Sequence, residues 1–273
     1  MTAQRPAHGF AHIHAAGRDL RIELGWVNDA APADAPLIVF LHEGLGSLAM
    51  WKDFPQQLCE AAGARGLVYS RPGYGRSTPR PHGERWGPDF MHVQAQQVLP
   101  ALLDALGVQA PYWLFGHSDG GSIALIHAAG FGQRVAGAVV MAPHILVEEF
   151  GLASIREARR AYVEGELRAR LGKYHDDVDS AFWGWNGIWL DAEFPRWTIQ
   201  ALLPTIACPV LAIQGVDDPY GTMAQIDGIA QAAPQTQLLK LPDCGHSPHR
   251  DQPEAVTAAT RAFIQRHSTE TTR

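Results

Sequence analysis

Four short apolar runs, Leu37 to Leu41, Tyr112 to Phe115, Val135 to Met141 and Val210 to Gln214, limit this chain more than any other feature. A strand with one wet face alternates apolar and polar residues. Leu37 to Leu41 does not, so it reads as a strand covered on both faces, the condition of a parallel sheet between layers of helix, and the other three read as further strands. Gly66 to Ser70 and Gln237 to Leu241 read as two more strands. Ahead of them, Gly9 to His14 and Asp19 to Trp26 flank a turn containing Gly17 and form a hairpin pattern.

Helical segments separate the runs: Trp51 to Ala62, Pro88 to Leu106, Asp119 to Gly130, Met223 to Ala233 and Gln252 to His267. Pro100 is expected to kink the second of these, because proline removes a helix hydrogen bond. Asp251 followed by Glu254 has capping-box form for the last. Strand and helix therefore take turns, and 273 residues suit one large α/β domain.

The block from 144 to 206 breaks the alternation. Ile155 to Leu171 is helical and charged, and its Arg156, Arg159 and Arg160 beside Glu148, Glu149 and Glu157 read as a solvated helix face. An aromatic stretch follows, with Trp183, Trp185, Trp189 and Trp197, and Gly184 and Gly187 are expected to let its backbone bend. The block reads as a helical cap inserted into a core made of residues 1–143 and 207–273.

Charge narrows the partners. With 22 Lys plus Arg against 28 Asp plus Glu and no basic run, the chain has no footprint for nucleic acid or an anionic membrane surface. No stretch approaches the ~20 apolar residues of a membrane span. Met1 to Leu20 has no apolar core of signal-peptide length. Cys59, Cys208 and Cys244 are odd in number and lack metal-ligand spacing. A soluble cytoplasmic protein with a small-molecule substrate is the expectation, as monomer or homodimer.

Chemistry concentrates at Gly116-His117-Ser118-Asp119-Gly120, directly after one apolar run and before a helix. This is the G-x-S-x-G elbow in the strand–turn–helix setting its mechanics require. The turn lifts the serine clear of the sheet edge, at a helix N-terminus that favours developing negative charge. A serine hydroxyl needs a base. Of the 13 histidines, His246 follows the last strand at the same sheet edge. His117 sits inside the elbow, directed away from the seryl oxygen, and His127, His249 and His267 fall in or beside helices. The imidazole in turn needs a carboxylate to fix its tautomer. Asp217 and Asp218 both follow the strand ending at Gln214.

The order Ser118, aspartate, His246 resembles the α/β-hydrolase superfamily, in its cap-bearing branch of esterases, lactonases and carbon–carbon bond hydrolases. The resemblance runs from about Phe10 to His267. Ser70-Arg71-Pro72-Gly73-Tyr74-Gly75-Arg76-Ser77 looks like that family's Pro-Gly-x-Gly-x-Ser turn, and Gly245-His246-Ser247-Pro248 like its histidine segment. It implies a three-layer α/β-hydrolase fold with an eight-stranded, mostly parallel sheet and a helical cap. It also implies Asp218 as the acid, three residues after Gly215. The family's oxyanion loop, His-Gly-x-x-Gly, reads His42-Glu43-Gly44-Leu45-Gly46 here, with Glu43 in place of the first glycine. The Gly44 and Asp119 amides then become the expected oxyanion donors, with Leu45 taking the former role if the loop shifts by a residue. Glu43 either turns into polar packing or adds an ionisable group near the serine.

Taken together, these residues imply a serine hydrolase without metal or organic cofactor, acting on a small to medium, largely uncharged ester or lactone. Glu43, Leu45, Trp183, Trp185 and Trp189 are the candidate substrate contacts. Carbon–carbon hydrolases and lyases share the fold, and a hydrolase-like receptor would share the pocket.

Overall fold

The computed structural model describes residues 8–109 and 111–268. The first seven residues of the stretch read for a leader lie outside the described residues.

Eight strands form one sheet: β1 (His8–Ala15), β2 (Arg18–Val27), β3 (Leu37–Leu41), β4 (Arg65–Tyr69), β5 (Tyr112–His117), β6 (Val135–Met141), β7 (Val210–Gly215) and β8 (Thr236–Leu241). Their order is β1-β2-β4-β3-β5-β6-β7-β8. β2 runs antiparallel to β1 and β4, and every other pairing is parallel. β3 and β5 are buried at every position, as unbroken apolar runs require. β8, at the edge, is only partly covered.

Before β7 the core helices are α1 (Phe54–Ala62), α2 (Phe90–Val93), α3 (Leu99–Ala105) and α4 (Asp119–Gly130). The long helix expected over 88–106 is interrupted. Between α2 and α3 the turns widen into a π-helix at Gln94–Val98. Pro100, second in α3, has no N–H for the carbonyl four residues back, and the wider turn absorbs that defect in place of a sharp kink. The helix expected from Trp51 also starts late. Lys52, at φ 54°, separates the 3₁₀ turn Leu48–Trp51 from α1.

The insertion between β6 and β7 carries α5 (Glu149–Val163), α6 (Leu167–Leu171) and α7 (Val178–Trp189). Its two legs meet where Leu146 bridges Thr198 in antiparallel fashion and Ile199 N–H donates to the Ile145 carbonyl. The Asp177 side chain caps α7 by accepting from Ser180 N–H at 2.8 Å. Arg156 pairs with Glu149 at 2.7 Å on an exposed face of α5, the solvated face expected there. Gly184 is not a hinge. It lies within regular α7, and a side chain there would collide with the Trp86 ring at 2.8 Å.

After β7 come α8 (Ala224–Ala232), α9 (Pro248–Asp251) and α10 (Pro253–Ser268). The capping box expected at Asp251 does not form. Its carboxylate instead accepts from the Gly245 N–H at 2.9 Å, and Pro253 opens α10. Two cores result. One face of the sheet packs on α1 and α10, the other on α2, α3, α4, α8 and the insertion. Cys59, Cys208 and Cys244 are buried and free.

Candidate active site

The turn from β5 into α4 is tight enough to need glycine on both sides. A Cβ on Gly116 would lie 2.3 Å from the Gly120 carbonyl oxygen, and one on Gly120 would lie 2.0 Å from that of Leu41. Between them Ser118 holds φ 53° and ψ −121°, a region costing a non-glycine residue about 1–3 kcal/mol. That strain persists because β5, α4 and the Ser118 N–H to Met141 carbonyl bond (2.9 Å) leave the turn no alternative. The serine is thereby aimed at the loops beyond β7 and β8.

His246 Nε2 lies 2.9 Å from Ser118 Oγ. His246 Nδ1 donates to Asp218, 2.9 Å from Oδ1 and 2.8 Å from Oδ2. Asp218 also accepts from Gln214 Nε2 at 2.7 Å and Tyr220 N–H at 2.8 Å. Burial alone would raise its pKa, but the hydrogen bond and charge of His246, with the Tyr220 amide, outweigh burial and hold it below the usual value. Asp217 is exposed on the same turn. The Asp251–Gly245 bond steadies the loop that presents His246, and Tyr220 packs on the imidazole at 4.6 Å.

The loop after β3 is pinned from behind. His42 Nδ1 donates to the Glu43 carbonyl at 2.7 Å, and its Nε2 accepts from the Arg71 N–H at 3.0 Å. Arg71, wholly buried, donates from Nη2 to the same Glu43 carbonyl at 2.8 Å. Beyond this anchor Gly44, Leu45 and Asp119 line the cavity, and none of their backbone N–H groups has an acceptor among the described residues. A side chain on Gly44 would strike Trp185 Nε1 at 2.2 Å, so the close fit of α7 on this loop requires glycine.

Glu43 lines the cavity, and its oxygens lie 3.7 Å from His117 Nδ1 and 3.6 Å from Arg250. Burial would raise its pKa, but His117 and neighbouring histidines prevail, and it stays ionised well below the usual range. His117 makes no bond to Ser118. Its Nε2 donates to the His246 backbone carbonyl at 2.6 Å. Asp119 is different: burial pushes its pKa up to about 6, only partly offset by Arg71 at 3.9 Å and the bond from Trp189 Nε1 at 3.2 Å.

These walls enclose about 220 Å³, completed by His144, Ile155, Trp185, Trp189, Tyr220 and Ser247. Trp185 and Trp189, four apart on α7, share the face that roofs the cavity. Trp183 does not reach it. Two residues before Trp185 and so on nearly the opposite side of α7, it meets Arg159 and lines an outer cleft with Arg80 and Asp179. Trp197 stacks on Phe194 instead. The sequence reading passed over His144 because it belongs to no motif, and its one signal was its place just past a buried strand. No group of three or more metal-binding side chains occurs among the described residues. Nor is any described helix long and apolar enough to cross a membrane.

A strained serine, an imidazole and a carboxylate in hydrogen-bonded series, with unpaired amides alongside, can support nucleophilic attack on a carbonyl. The model of the alpha/beta hydrolase family matches residues 38–259, which include all three side chains and the pinned loop. The chain belongs to the alpha/beta hydrolase family. Among family relatives, a stretch of polyketide synthase ThaQ from Burkholderia thailandensis is 28% identical over 83% of this chain, which spans only 12% of that protein. The 2-succinyl-6-hydroxy-2,4-cyclohexadiene-1-carboxylate synthase of Yersinia pseudotuberculosis is 28% identical over 85% of this chain and 89% of its own length. A solved esterase from Thermogutta terrifontis superposes with a TM-score of 0.72 at 23% identity, covering 96% of this chain and 99% of that one, a likeness of fold.

Proposed function

We propose that this hydrolase is a serine enzyme that cleaves a small to medium, largely uncharged carboxylic ester or lactone through an acyl-enzyme. The observation that carries the reading is the continuous series Ser118 Oγ, His246 Nε2, His246 Nδ1, Asp218, with each step under 3 Å. Ser118 attacks the carbonyl carbon while His246 takes its proton. Asp218 keeps Nδ1 protonated, which leaves Nε2 free as the acceptor, and stabilises the imidazolium that forms. The Gly44 and Asp119 amides receive the oxyanion, and each such donor supplies a few kcal/mol in the transition state. His246 then returns the proton to the leaving oxygen, and water repeats the sequence to release the acid. A 220 Å³ cavity is smaller than the ~300–1,000 Å³ of drug-sized pockets, which favours a compact acyl group or ring.

Likeness to the Yersinia synthase favours a second reading, in which the same three side chains act on a bond other than an ester. A fluorophosphonate probe should label Ser118 stoichiometrically, read by intact mass and peptide mapping. An adduct on a different serine, or none, would refute the assignment. Turnover across esters, lactones and vinylogous diketones then separates the two readings.

A further inference from the structure

One polar side chain in the cavity has no part in the acyl transfer. His144 stands just beyond β6, and its backbone is fixed by α4: its N–H donates to Ser122 Oγ at 3.0 Å, and that hydroxyl donates to its carbonyl at 2.7 Å. The next residue is held too, with Ile145 N–H donating to Gln225 Oε1 at 2.7 Å. The imidazole itself is held by packing. It lies edge-on to Trp189 at 4.9 Å, and its centre is 6.1 Å from that of His246.

Only 5% of His144 is exposed, yet its ring has no hydrogen-bond partner among the described residues, and the residue lines the cavity beside Ser118. Burial, followed by the charge of His246, lowers its pKa to about 3, so the ring is neutral at physiological pH. A neutral imidazole offers one donor and one acceptor. Ile155, Trp185 and Trp189 supply mostly apolar wall around it. Buried polar groups are costly to keep without a partner, and a rigidly presented one facing a cavity is suited to a ligand atom.

We propose that His144 is a substrate-binding residue, and that the natural substrate carries a hydroxyl or keto oxygen on the part lodged beneath Trp189. The inference rests on Ser118 as the nucleophile and narrows the substrate class to hydroxy- or oxo-acyl esters and the corresponding lactones. Plain alkyl esters leave both imidazole nitrogens unmatched, and a site built to hydrogen-bond a substrate oxygen discriminates against the analogue that lacks it.

The test compares p-nitrophenyl butanoate with its α-hydroxy, β-hydroxy and β-oxo counterparts, using the full chain with fluorophosphonate labelling of Ser118 as control. The wild type should favour at least one oxygenated ester by about tenfold in kcat/KM, the scale of a single hydrogen bond. His144→Leu should erase that preference, and His144→Gln, which keeps a donor and an acceptor, should retain part of it. Labelled Ser118 with no preference among the esters overturns this inference alone. So does a His144→Leu protein that loses activity equally on every ester with a lowered melting temperature, which would mark a packing role. If His144→Leu does not fold, the wild-type ratio and His144→Gln decide. Failure to label Ser118 overturns the parent reading and this inference with it.

Discussion

Both oxygens of Asp218 meet only donors: His246 Nδ1 at each, Tyr220 N–H at one and Gln214 Nε2 at the other. An asparagine here must turn its NH₂ toward a donor whichever way it faces, and His246 then loses the partner that fixes its tautomer. Asp218→Asn should therefore lower kcat on the order of 10⁴-fold with little change in fold. Asp217→Asn, on an exposed side chain of the same turn, should cost far less. Steady-state kinetics of the two variants checks this, and the reverse ranking would transfer the role to Asp217. Resemblance alone separated these neighbours in the sequence, whereas burial and bonding separate them in the molecule.

At the scale of elements, α7 is expected to decide what the cavity admits, since Trp185 and Trp189 line it. Trp185 rests on the Gly44 loop, while Trp189 reaches Asp119 and packs on His144, so one helix touches the expected oxyanion loop, the elbow and the far wall. A roof that excludes water strengthens the electrostatic interactions beneath it. Trp185→Ala or Trp189→Ala should shift the preference between short and long acyl chains, read from kcat/KM over a series of p-nitrophenyl esters. Both indoles are nearly buried, so melting temperatures should fall as well, in keeping with the ~3–5 kcal/mol typical of such truncations. An unchanged chain-length profile in both variants would reject the lid role and leave only packing. Trp183→Ala, facing the outer cleft, should leave the profile unaltered.

For the molecule as a whole, the buried histidines set the response to acid. Burial is the leading cause in each: His42 lies well below 6.5, His175 is also lowered, and His127, His144 and His249 are lowered to about 4, 3 and 2. A base whose folded pKa is depressed stays neutral in the native state while the unfolded chain takes up a proton. Stability is therefore complete above about pH 6.5 and declines below it, by about 1.4 kcal/mol per such imidazole per pH unit. Asp119, pushed up to about 6, works the other way between that value and 3.8, one group against five. The melting temperature should be level from pH 7 to 8 and fall from 6.5 to 5, with net proton uptake on unfolding at pH 5.5. A melting temperature that rose on acidification would contradict this account.

Much of the architecture was legible in one dimension because burial on both faces leaves a local record. Unbroken apolar runs became β3, β5, β6 and β7, and the glycines around Ser118 announced a turn whose clearances only glycine meets. The order serine, aspartate, histidine was legible because each follows a parallel strand and so emerges at one sheet edge, although 128 residues separate Ser118 from His246. What the sequence could not determine was the facing of side chains off that pattern. Trp183 turned outward while Trp185 and Trp189 turned in, because the two residues from Trp183 to Trp185 carry the helix through about 200°. Gly184 made room for Trp86, and the Asp251 carboxylate bonded Gly245 in place of capping α10. Glu43 found partners in His117, from the elbow, and Arg250, from α9. His144 gained its place beside Ser118 because β5 and β6 are adjacent in the sheet, a contact that no spacing along the chain records.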